Sequence, residues 1–565
     1  MEERPLHFRR PIGRPKGRAT DPTARDRVRA LLGDSSRRRD LLIEHLHRLQ
    51  DADGHLSSAS IAALADEMRL AQAEVFEVAT FYHHFDVVRD GDLPPPVLTV
   101  RVCDSISCAL AGAEPLAEAL QQEVGDRVRV QRVPCVGRCA DAPAVVVARR
   151  PVAAATIERV LAAVADGGRE CAPPPAPDLA ADQAAGGYAQ LLRCLRGEID
   201  REAVLAAIEA AGLRGLGGAG FPTARKWRAV AAQPAPRMMA VNADEGEPGT
   251  FKDRHWLEHA PHRILEGMLI GAWAVGASAV YVYLRDEYAG VRAWLEGQWP
   301  RLQAWVRTVW PDDPAAPCPE LHLRRGAGAY VCGEESAMLE SIEGRRGMPR
   351  LRPPYVAQVG AFGRPTLVNN PETLMWVTTV LARGAPWYAS HGRRGRRGLR
   401  SFSVSGRVRR PGVVLAPAGI TLRELVDEHC GGMADGHALY GFLPGGASGG
   451  ILPATLADVP LDFDTLAEHG AFIGSCAVVV LSDHDRARDA AANLLRFFRH
   501  ESCGQCTPCR VGTAKAEPLL AEPSWDAGLL GELSRAMRDA SICGLGQAAP
   551  NPFDSVLRYF PHEVR

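Results

Sequence analysis

Three cysteines near the carboxyl end of this 565-residue chain have the spacing of metal ligands. Cys503, Cys506 and Cys509 follow the pattern Cys-x2-Cys-x2-Cys, and the more distant Cys543 can supply a fourth thiolate. Three closely spaced cysteines with a distant fourth are typical of a [4Fe–4S] cluster, whereas four-cysteine zinc sites usually consist of two separated pairs. The spacing therefore favours an iron–sulfur cluster and leaves zinc as the alternative.

A second group of four cysteines follows two predicted strands. Cys103 and Cys108 come after one apolar run, and Cys135 and Cys139 come after another. Four thiolates on two adjacent loops suit a [2Fe–2S] cluster or zinc, and the spacing does not separate the two. We interpret the remaining six of the 14 cysteines as ordinary buried or loop residues: Cys171, Cys194, Cys318, Cys332, Cys430 and Cys476.

Glycine-rich loops form the other pattern that could do chemistry. Residues 212–220 hold five glycines in nine positions, and such a loop exposes backbone N–H groups that suit a phosphate. Segments 242–254, 326–335 and 369–373 combine acidic or amide residues with glycine or proline, each near a predicted strand end. Any one of them could be an ordinary loop. Together they predict a nucleotide site at the carboxyl edge of a sheet.

The elements that must position these residues follow from hydrophobic patterns and from proline and glycine. Strands are predicted at 97–102, 128–133 and 144–147, with a helix near 113–124 between the first two. The chain is predicted to divide into a basic arm (1–27), a helical segment (28–95), a first α/β domain (96–170), a proline-rich linker (171–190), a second α/β domain (191–395), a strand-rich domain (396–485) and a helical domain (486–565). The fold class predicted is therefore multidomain α/β.

Charge and hydropathy exclude several classes of protein. With 66 basic and 67 acidic residues the net charge is −1, so nothing supplies the excess needed to neutralise nucleic-acid phosphates. Residues 1–29 contain no apolar run, so no secretory signal is predicted, and a disulfide framework is disfavoured. Residues 267–284 carry no charge, but Gly276-Ala277-Ser278 interrupts them. A buried helix followed by a buried strand is therefore favoured over a membrane span.

Taken together, these motifs resemble a known family. Over about 190–565 the chain resembles the NADH-oxidising flavoprotein subunit of respiratory complex I and its soluble relatives. Residues 25–170 resemble the small thioredoxin-like [2Fe–2S] subunit that accompanies it, so the two are fused here. Complex I carries arginine where Leu216 stands, and leucine suits the formate dehydrogenase branch better. The chain is most similar to the β subunit of cytoplasmic NAD-dependent molybdenum or tungsten formate dehydrogenase, through segments 244–254, 344–350, 443–450 and 501–512.

The resemblance implies a fold and cofactors for each predicted domain. It implies a thioredoxin-like [2Fe–2S] domain at 96–170, a Rossmann-like FMN and NADH domain at 191–395, a β-grasp domain at 396–485 and a helical [4Fe–4S] domain at 486–565. It places FMN against Gly215, Gly217, Gly218, Lys226, Asn242, Asp244, Glu245, Tyr330, Gly333, Glu334, Asn369, Asn370 and Thr373. It places NAD(H) near Phe221, Glu247, Glu335, Arg352 and Tyr355.

Within this set, Glu247 and Glu335 are the candidate catalytic residues, as acceptors that orient the nicotinamide amide or a ribose hydroxyl. The expected function is a cytoplasmic diaphorase subunit without a membrane span, whose partner is a large molybdenum- or tungsten-containing formate dehydrogenase α subunit. The alternatives are the equivalent module of an NAD-reducing hydrogenase or of complex I, and, more remotely, a zinc-binding scaffold protein.

Overall fold

The computed structural model describes residues 17–168 and 171–565 and divides the chain into two compact units. The first unit combines the residues up to Pro95 with Ser341–Arg346, and the second contains the remainder. Most of the predicted basic arm, residues 1–16, lies outside the described residues. Its last residues are helical, because the Asp21 carboxylate accepts the Ala24 N–H (3.0 Å) and caps a helix that begins at Pro22.

The first unit is a small helical assembly, as the pattern over 28–95 predicts. Its apolar positions Leu42, Leu46 and Leu49 recur at helical spacing and are fully buried. The short segment Ser341–Arg346 is joined to it where the Tyr82 hydroxyl donates to the Arg345 carbonyl (2.8 Å). The elements are α1 (Pro22–Leu32), α2 (Leu42–Asp53), β1 (Leu56–Ser57), α3 (Ser58–Met68), α4 (Gln72–Phe81) and β2 (Val87–Val88), the two strands being parallel.

The second unit begins with a four-stranded mixed sheet in the order β4-β3-β5-β6. Strands β3 and β4 are parallel, and the other two pairs are antiparallel. Both predicted cysteine pairs follow the parallel strands, whose carboxyl ends share one edge of the sheet. The elements are β3 (Thr99–Cys103), α5 (Ile106–Leu110), α6 (Ala113–Val124), β4 (Arg129–Val133), β5 (Val145–Val147), β6 (Arg150–Val152) and α7 (Ile157–Ala165).

A fully parallel sheet in the order β10-β7-β8-β9 forms the next layer, with helices packed against it. The predicted linker 171–190 contains a helix, which proline-rich composition alone did not indicate. The elements are α8 (Leu179–Ala184), α9 (Ala189–Leu195), α10 (Arg201–Ala211), α11 (Thr223–Ala231), β7 (Arg237–Ala243), α12 (Lys252–His259), α13 (Pro261–Val275), β8 (Ala277–Leu284), α14 (Ala289–Val309), β9 (Glu320–Arg325), α15 (Glu335–Ile342), β10 (Thr366–Asn369), α16 (Pro371–Arg383) and α17 (Ala385–Ala389).

The uncharged stretch 267–284 is a buried helix and a buried strand. Helix α13 ends at Gly276, which adopts a left-handed conformation (φ 65°) that favours glycine, and β8 follows at once. At Gly267 a Cβ would lie 2.0 Å from the Leu374 carbonyl oxygen, so glycine allows α13 and α16 to pack closely. Across residues 17–168 and 171–565, no helix combines the length and apolarity needed to cross a bilayer.

The remaining domains are a five-stranded mixed sheet, in the order β12-β11-β17-β14-β15, and a set of helices. Together with the preceding layers they confirm the predicted multidomain α/β fold class. The sheet domain contains β11 (Leu399–Gly406), β12 (Gly412–Pro417), β13 (Ile420–Thr421), α18 (Leu422–Glu424), β14 (Leu439–Leu443), β15 (Leu452–Pro453), β16 (Pro460–Leu461) and β17 (Ala477–Ser482). The helices are α19 (Ala487–His500), α20 (Thr507–Ala521), α21 (Ala527–Ala540), α22 (Gly544–Ala548) and α23 (Asn551–Tyr559).

Candidate functional site

The predicted nucleotide loops meet at the carboxyl edge of the parallel sheet. Strands β7 and β10 are neighbours with Asn369 opposite Val241, so the residues after both strands lie side by side. The Asn242 amide donates to the Gly333 carbonyl (2.8 Å) and brings the loop before α15 to the same edge. Parallel strands thus gather residues that are far apart in the sequence.

The glycine-rich loop packs against the start of α16. The Leu216 N–H donates to the Thr373 hydroxyl (2.9 Å), and a Cβ at Gly217 would lie 3.1 Å from the Asn370 Cβ. Gly218 has a φ of 136°, which favours glycine, and within the described part of the chain open space lies where its side chain would be. The Gly215 N–H donates to the Phe221 carbonyl (2.8 Å) and closes the turn. The loop therefore forms a backbone-lined cradle.

Charged side chains cluster at one side of this cradle. The Lys226 ammonium lies 3.5 Å from the Glu335 carboxylate and donates to the Val368 carbonyl (3.2 Å). The Arg352 guanidinium lies 3.3 Å from Glu335 and hydrogen-bonds to Glu334. Four residues predicted to contact the nucleotides are thus brought together, with Lys226 and Arg352 both paired with Glu335.

The two aromatic residues predicted to lie near NAD(H) are exposed. Phe221 is 43% exposed and carries the Arg225 guanidinium 5.6 Å from its ring centre, while Tyr355 is 55% exposed three residues after Arg352. Their contact with a nucleotide remains a prediction.

The neighbouring carboxylates Asp244 and Glu245 differ in their partners. Burial raises the pKa of Asp244 well above its usual range, and among the described residues its Oδ2 atom has no hydrogen-bond partner. A buried polar atom of this kind needs a hydrogen-bond partner, and a flavin bound in the cradle would supply one, so these residues fit FMN.

Glu245 already has three donors from the protein. Its carboxylate accepts the N–H groups of Asp253 (2.8 Å) and Arg254 (3.0 Å) and the hydroxyl of Tyr288 (2.8 Å). Burial, followed by the charge of Asp253, raises the pKa of Glu245 to about 7. This carboxylate holds the start of α12, and its predicted contact with FMN remains a prediction.

A buried ion network beneath the cradle was not predicted from the sequence. Lys252 is 1% exposed, and its ammonium lies 2.8 Å from the Asp253 carboxylate and 2.9 Å from that of Glu372. The Asn370 amide donates to Asp253 (2.6 Å), while its own oxygen accepts the Glu372 N–H (3.0 Å). The available sequence signal was that Lys252 is one of only four lysines in the chain.

Asn369, the other amide of that loop, is also buried. Its side-chain oxygen accepts the indole N–H of Trp227 (2.9 Å), which ties β10 to α11. We therefore interpret its side chain as positioning the loop, and its contact with FMN remains a prediction.

Glu247 lies against the five-stranded domain. Its carboxylate accepts the Ser448 N–H (2.9 Å) and the Ser475 hydroxyl (3.2 Å), and burial raises its pKa. Tyr330 is next to this group, because a Cβ at Gly246 would lie 3.1 Å from its ring. The sequence did not predict that Ser448 and Ser475 hold the Glu247 carboxylate.

The four cysteines predicted to bind a [4Fe–4S] cluster line one cavity. Cys503, Cys506, Cys509 and Cys543 share it with apolar Val331 and Leu545, among others. Burial raises the pKa of Cys509 to about 11 and of Cys543 to about 12. Burial disfavours the thiolate form of these cysteines, and thiolate is the form that binds iron. A cationic iron centre would therefore stabilise the thiolates.

The second cysteine group is gathered in the same way. Cys103, Cys108, Cys135 and Cys139 are each at most 4% exposed, and the sulfur atoms of Cys135 and Cys139 are 3.3 Å apart. The Gly137 N–H donates to the Cys135 sulfur (3.4 Å), as expected where a thiolate is to be stabilised. The four sulfurs fit a small cluster held by two adjacent loops.

Two arginines join this cysteine loop to the nucleotide loops. Arg285 donates to the backbone carbonyls of Cys135 (2.6 Å) and Glu245, and Arg254 donates to that of Gly137 (3.0 Å). Arg285 follows strand β8 directly, so a polar residue at a strand end was the signal that could have identified it. A buried cation close to a cluster ligand helps to set a cluster's potential.

Similarity to known proteins identifies the family. Four family models match: the Nuo51 FMN-binding domain at residues 208–379, the thioredoxin-like [2Fe-2S] ferredoxin at 28–167, the NADH-ubiquinone oxidoreductase-F iron-sulfur binding region at 489–565 and the SLBB domain at 401–452. The mitochondrial NADH dehydrogenase [ubiquinone] flavoprotein 1 of Dictyostelium discoideum is 40% identical over 373 residues, which cover 64% of this chain and 78% of that protein. The chain belongs to the NADH dehydrogenase flavoprotein family.

Other similarities agree with membership of this flavoprotein family. The mitochondrial 51 kDa polypeptide of the NADH-ubiquinone oxidoreductase of Neurospora crassa is 39% identical over 374 residues, covering 64% of this chain and 76% of that protein. A crystal structure of an NAD+-reducing [NiFe]-hydrogenase in the H2-reduced state aligns with a TM-score of 0.81 and 32% identity, covering 94% of this chain and 93% of that chain.

As a member of the NADH dehydrogenase flavoprotein family, the chain is an NADH-oxidising, diaphorase-type protein that passes electrons through FMN and iron–sulfur clusters. The predictions of FMN, one [2Fe–2S] cluster, one [4Fe–4S] cluster and NADH as substrate are confirmed. The zinc alternative that cysteine spacing left open is not retained.

Proposed function

We propose that the chain is the NAD-reducing module of a cytoplasmic formate dehydrogenase. A separate molybdenum- or tungsten-containing α subunit would oxidise formate, and the electrons would leave this chain as NADH. Support comes from the segments at 244–254, 344–350, 443–450 and 501–512 and from leucine at position 216. The predicted domain boundaries and site residues are part of this proposal.

The observation that carries an electron-relay role is that the nucleotide loops contact both cysteine motifs. On one side the Tyr330 N–H donates to the Glu501 carboxylate (2.9 Å), two residues before Cys503. On the other side Arg285 bridges Glu245 and Cys135. FMN, when bound, exchanges two electrons with NADH as hydride and single electrons with iron–sulfur clusters. The protein's task is then to hold these groups close together.

We assign the hydride step to positioning by the protein, with no acid or base. Glu247 and Glu335 would orient the nicotinamide amide or a ribose hydroxyl, and Lys226 and Arg352 would hold Glu335 in place. Phe221 would cover the outer face of the nucleotide. No acid or base is needed because a hydride carries its proton and two electrons together. The rate then depends on how closely the nicotinamide and flavin rings are positioned.

A second candidate is the diaphorase module of an NAD-reducing hydrogenase. The solved hydrogenase chain favours it, because the similarity extends over 94% of this chain and therefore includes both cysteine domains in one polypeptide. The metal of the large partner distinguishes the candidates. Purification of the native complex with metal analysis should find molybdenum or tungsten, together with formate-dependent NAD+ reduction. Nickel would favour the hydrogenase, and neither metal would favour a complex I arrangement.

The isolated chain, loaded with FMN and iron, should oxidise NADH with an artificial electron acceptor. The protein solution should be brown, because flavin and iron–sulfur clusters both absorb visible light. The measurement is NADH-dependent acceptor reduction at known flavin and iron content. Protein that is fully loaded with FMN but inactive with NADH would contradict the proposal.

Replacing Glu247 with glutamine should raise the KM for NADH by about tenfold while FMN stays bound. The change removes one charge-assisted hydrogen bond worth roughly 1.5 kcal/mol, which corresponds to that factor. Glutamine can still accept the Ser448 N–H, so the loop should keep its place. Steady-state kinetics and flavin absorbance provide the measurement, with Glu468→Gln, a change to an exposed carboxylate, as the matched control. Partial loss of flavin, with an unchanged KM in the fraction that keeps it, would assign Glu247 to the flavin instead.

A further inference from the structure

A cluster of two histidines and one aspartate lies outside the redox sites described above. His437 precedes strand β14, while Asp483 and His484 follow strand β17. The two strands are antiparallel neighbours with Leu439 opposite Ser482, so the three residues meet at one end of the five-stranded sheet. One ligand atom from each lies within 4.8 Å of the other two. We propose that His437, Asp483 and His484 bind a divalent first-row transition metal such as Zn²⁺.

Hydrogen bonds around the cluster hold His437 in the tautomer that a metal requires. The Ser482 hydroxyl donates to the Asp485 carboxylate (3.1 Å), which is also paired with Arg407 (2.7 Å). Because a hydroxyl has one proton and Ser482 Oγ directs it to Asp485, this oxygen can accept from His437, whose Nδ1 lies 2.8 Å away. In the tautomer that this contact favours, Nδ1 carries the proton and Nε2 keeps the lone pair that can coordinate a metal.

The carboxylate is positioned in a similar way. The Ala438 N–H donates to Asp483 Oδ1 (2.9 Å), and the Asp483 N–H donates to the Ala438 carbonyl (3.0 Å). The second oxygen, Oδ2, is left to face the cation.

Ligand chemistry and accessibility define the class of metal. Two imidazoles and one carboxylate suit Zn²⁺, Ni²⁺ or Cu²⁺, whereas Mg²⁺ and Ca²⁺ prefer oxygen ligands alone. Asp483 and His484 are exposed, His437 is half-buried, and the two imidazole ring centres are 4.5 Å apart. Side-chain rotations that shorten the distances between the ligand atoms by roughly 1 Å would allow zinc to bind with nitrogen–zinc distances of about 2.0–2.1 Å. Water would fill the remaining positions.

The consequence of binding would be structural. A metal held by these three residues would clamp the chain before β14 to the turn after β17. That turn leads into α19 and on to the cysteine motif at 503–509. The metal would therefore stabilise the sheet end from which the cluster-binding helices begin, without taking part in electron transfer.

Equilibrium dialysis of the fully loaded protein against Zn²⁺, with metal analysis, tests this site. Since the cluster cysteines are already occupied by iron, one Zn²⁺ per chain should bind at micromolar concentration. His437→Asn and His484→Asn should each weaken binding at least tenfold, whereas His469→Asn, at a histidine beside Glu468, should not. Ser482→Ala should weaken binding about 10–100-fold, as loss of a supporting hydrogen bond does at other metal sites.

The outcomes separate clearly. The proposal is supported if the unaltered protein binds Zn²⁺ and both His437→Asn and His484→Asn lose that binding. The flavin absorbance of both variants should be unchanged. Absence of Zn²⁺ binding at 100 times the protein concentration, or equal binding by the His437→Asn/His484→Asn double variant, overturns it. Because NADH oxidation does not pass through this site, it should be the same in every variant.

Discussion

Replacing Lys252 with methionine is expected to lower the temperature at which the flavin domain unfolds by roughly 6–20 °C. Breaking a buried ion pair from one side costs about 3–5 kcal/mol, and each kcal/mol shifts the midpoint of a domain of this size by about 2–4 °C. Burial alone would lower the pKa of Lys252, but Asp253 and Glu372 more than offset it, so its pKa is raised and the ammonium is charged. Methionine would leave both carboxylates buried without their cation.

The measurement is the thermal release of FMN, which is monitored through the increase in flavin fluorescence. Lys515→Met is the matched control, because Lys515 is exposed and the same substitution there should shift the midpoint by less than about 2 °C. Adding Glu372→Gln to Lys252→Met should recover part of the loss, since it removes one of the uncompensated charges. A midpoint that is unchanged in Lys252→Met would show that the buried network does not support the flavin domain.

Replacing Cys543 with alanine is expected to remove about four of the roughly six iron atoms per chain. Cys543 lines the same cavity as the three cysteines of the Cys-x2-Cys-x2-Cys motif, and among the described residues no other cysteine lines it. The Cys103 group should keep its own iron, because it belongs to a separate sheet. FMN should remain bound, so reduction of small acceptors that react at the flavin should persist.

Iron analysis, visible absorbance and low-temperature electron paramagnetic resonance check this expectation. Electron transfer to the partner subunit proposed above should fall to about 1% or less, because the four-iron cluster would carry the electrons between that subunit and the flavin. Cys318→Ala, at an exposed position outside both cysteine groups, should keep full iron content. Full iron in Cys543→Ala would mean that another residue supplies the fourth ligand.

Much of this molecule follows from local sequence patterns. The cysteine spacings 503–509 and 103–108 with 135–139 predicted two metal sites, and the first spacing favoured an iron–sulfur cluster, because ligands a few residues apart in one loop are close in any fold. The apolar runs predicted strands β3, β4 and β5 and the helix at 113–124 to within about two residues. The residues before and after Gly276 likewise predicted α13 followed by β8, because helical spacing gives way there to a β-branched and aromatic run.

The tertiary structure decided which charged groups are hydrogen-bonded within the protein and which can contact a ligand. Sequence patterns could not show that Glu245 is held by Asp253, Arg254 and Tyr288, because burial and hydrogen bonding depend on distant elements. They could not show either that the adjacent Asp244 keeps an oxygen without a partner among the described residues. Nor could they show that Arg285 joins the Cys135 loop to the nucleotide loop.

By itself, then, the sequence determined where two sets of cysteine ligands lie, because ligand spacing is a local property, while FMN and NADH followed from the family resemblance of its loops. Only the tertiary structure decided how the carboxyl ends of parallel strands assemble one site between two clusters, because those contacts join residues more than 100 positions apart.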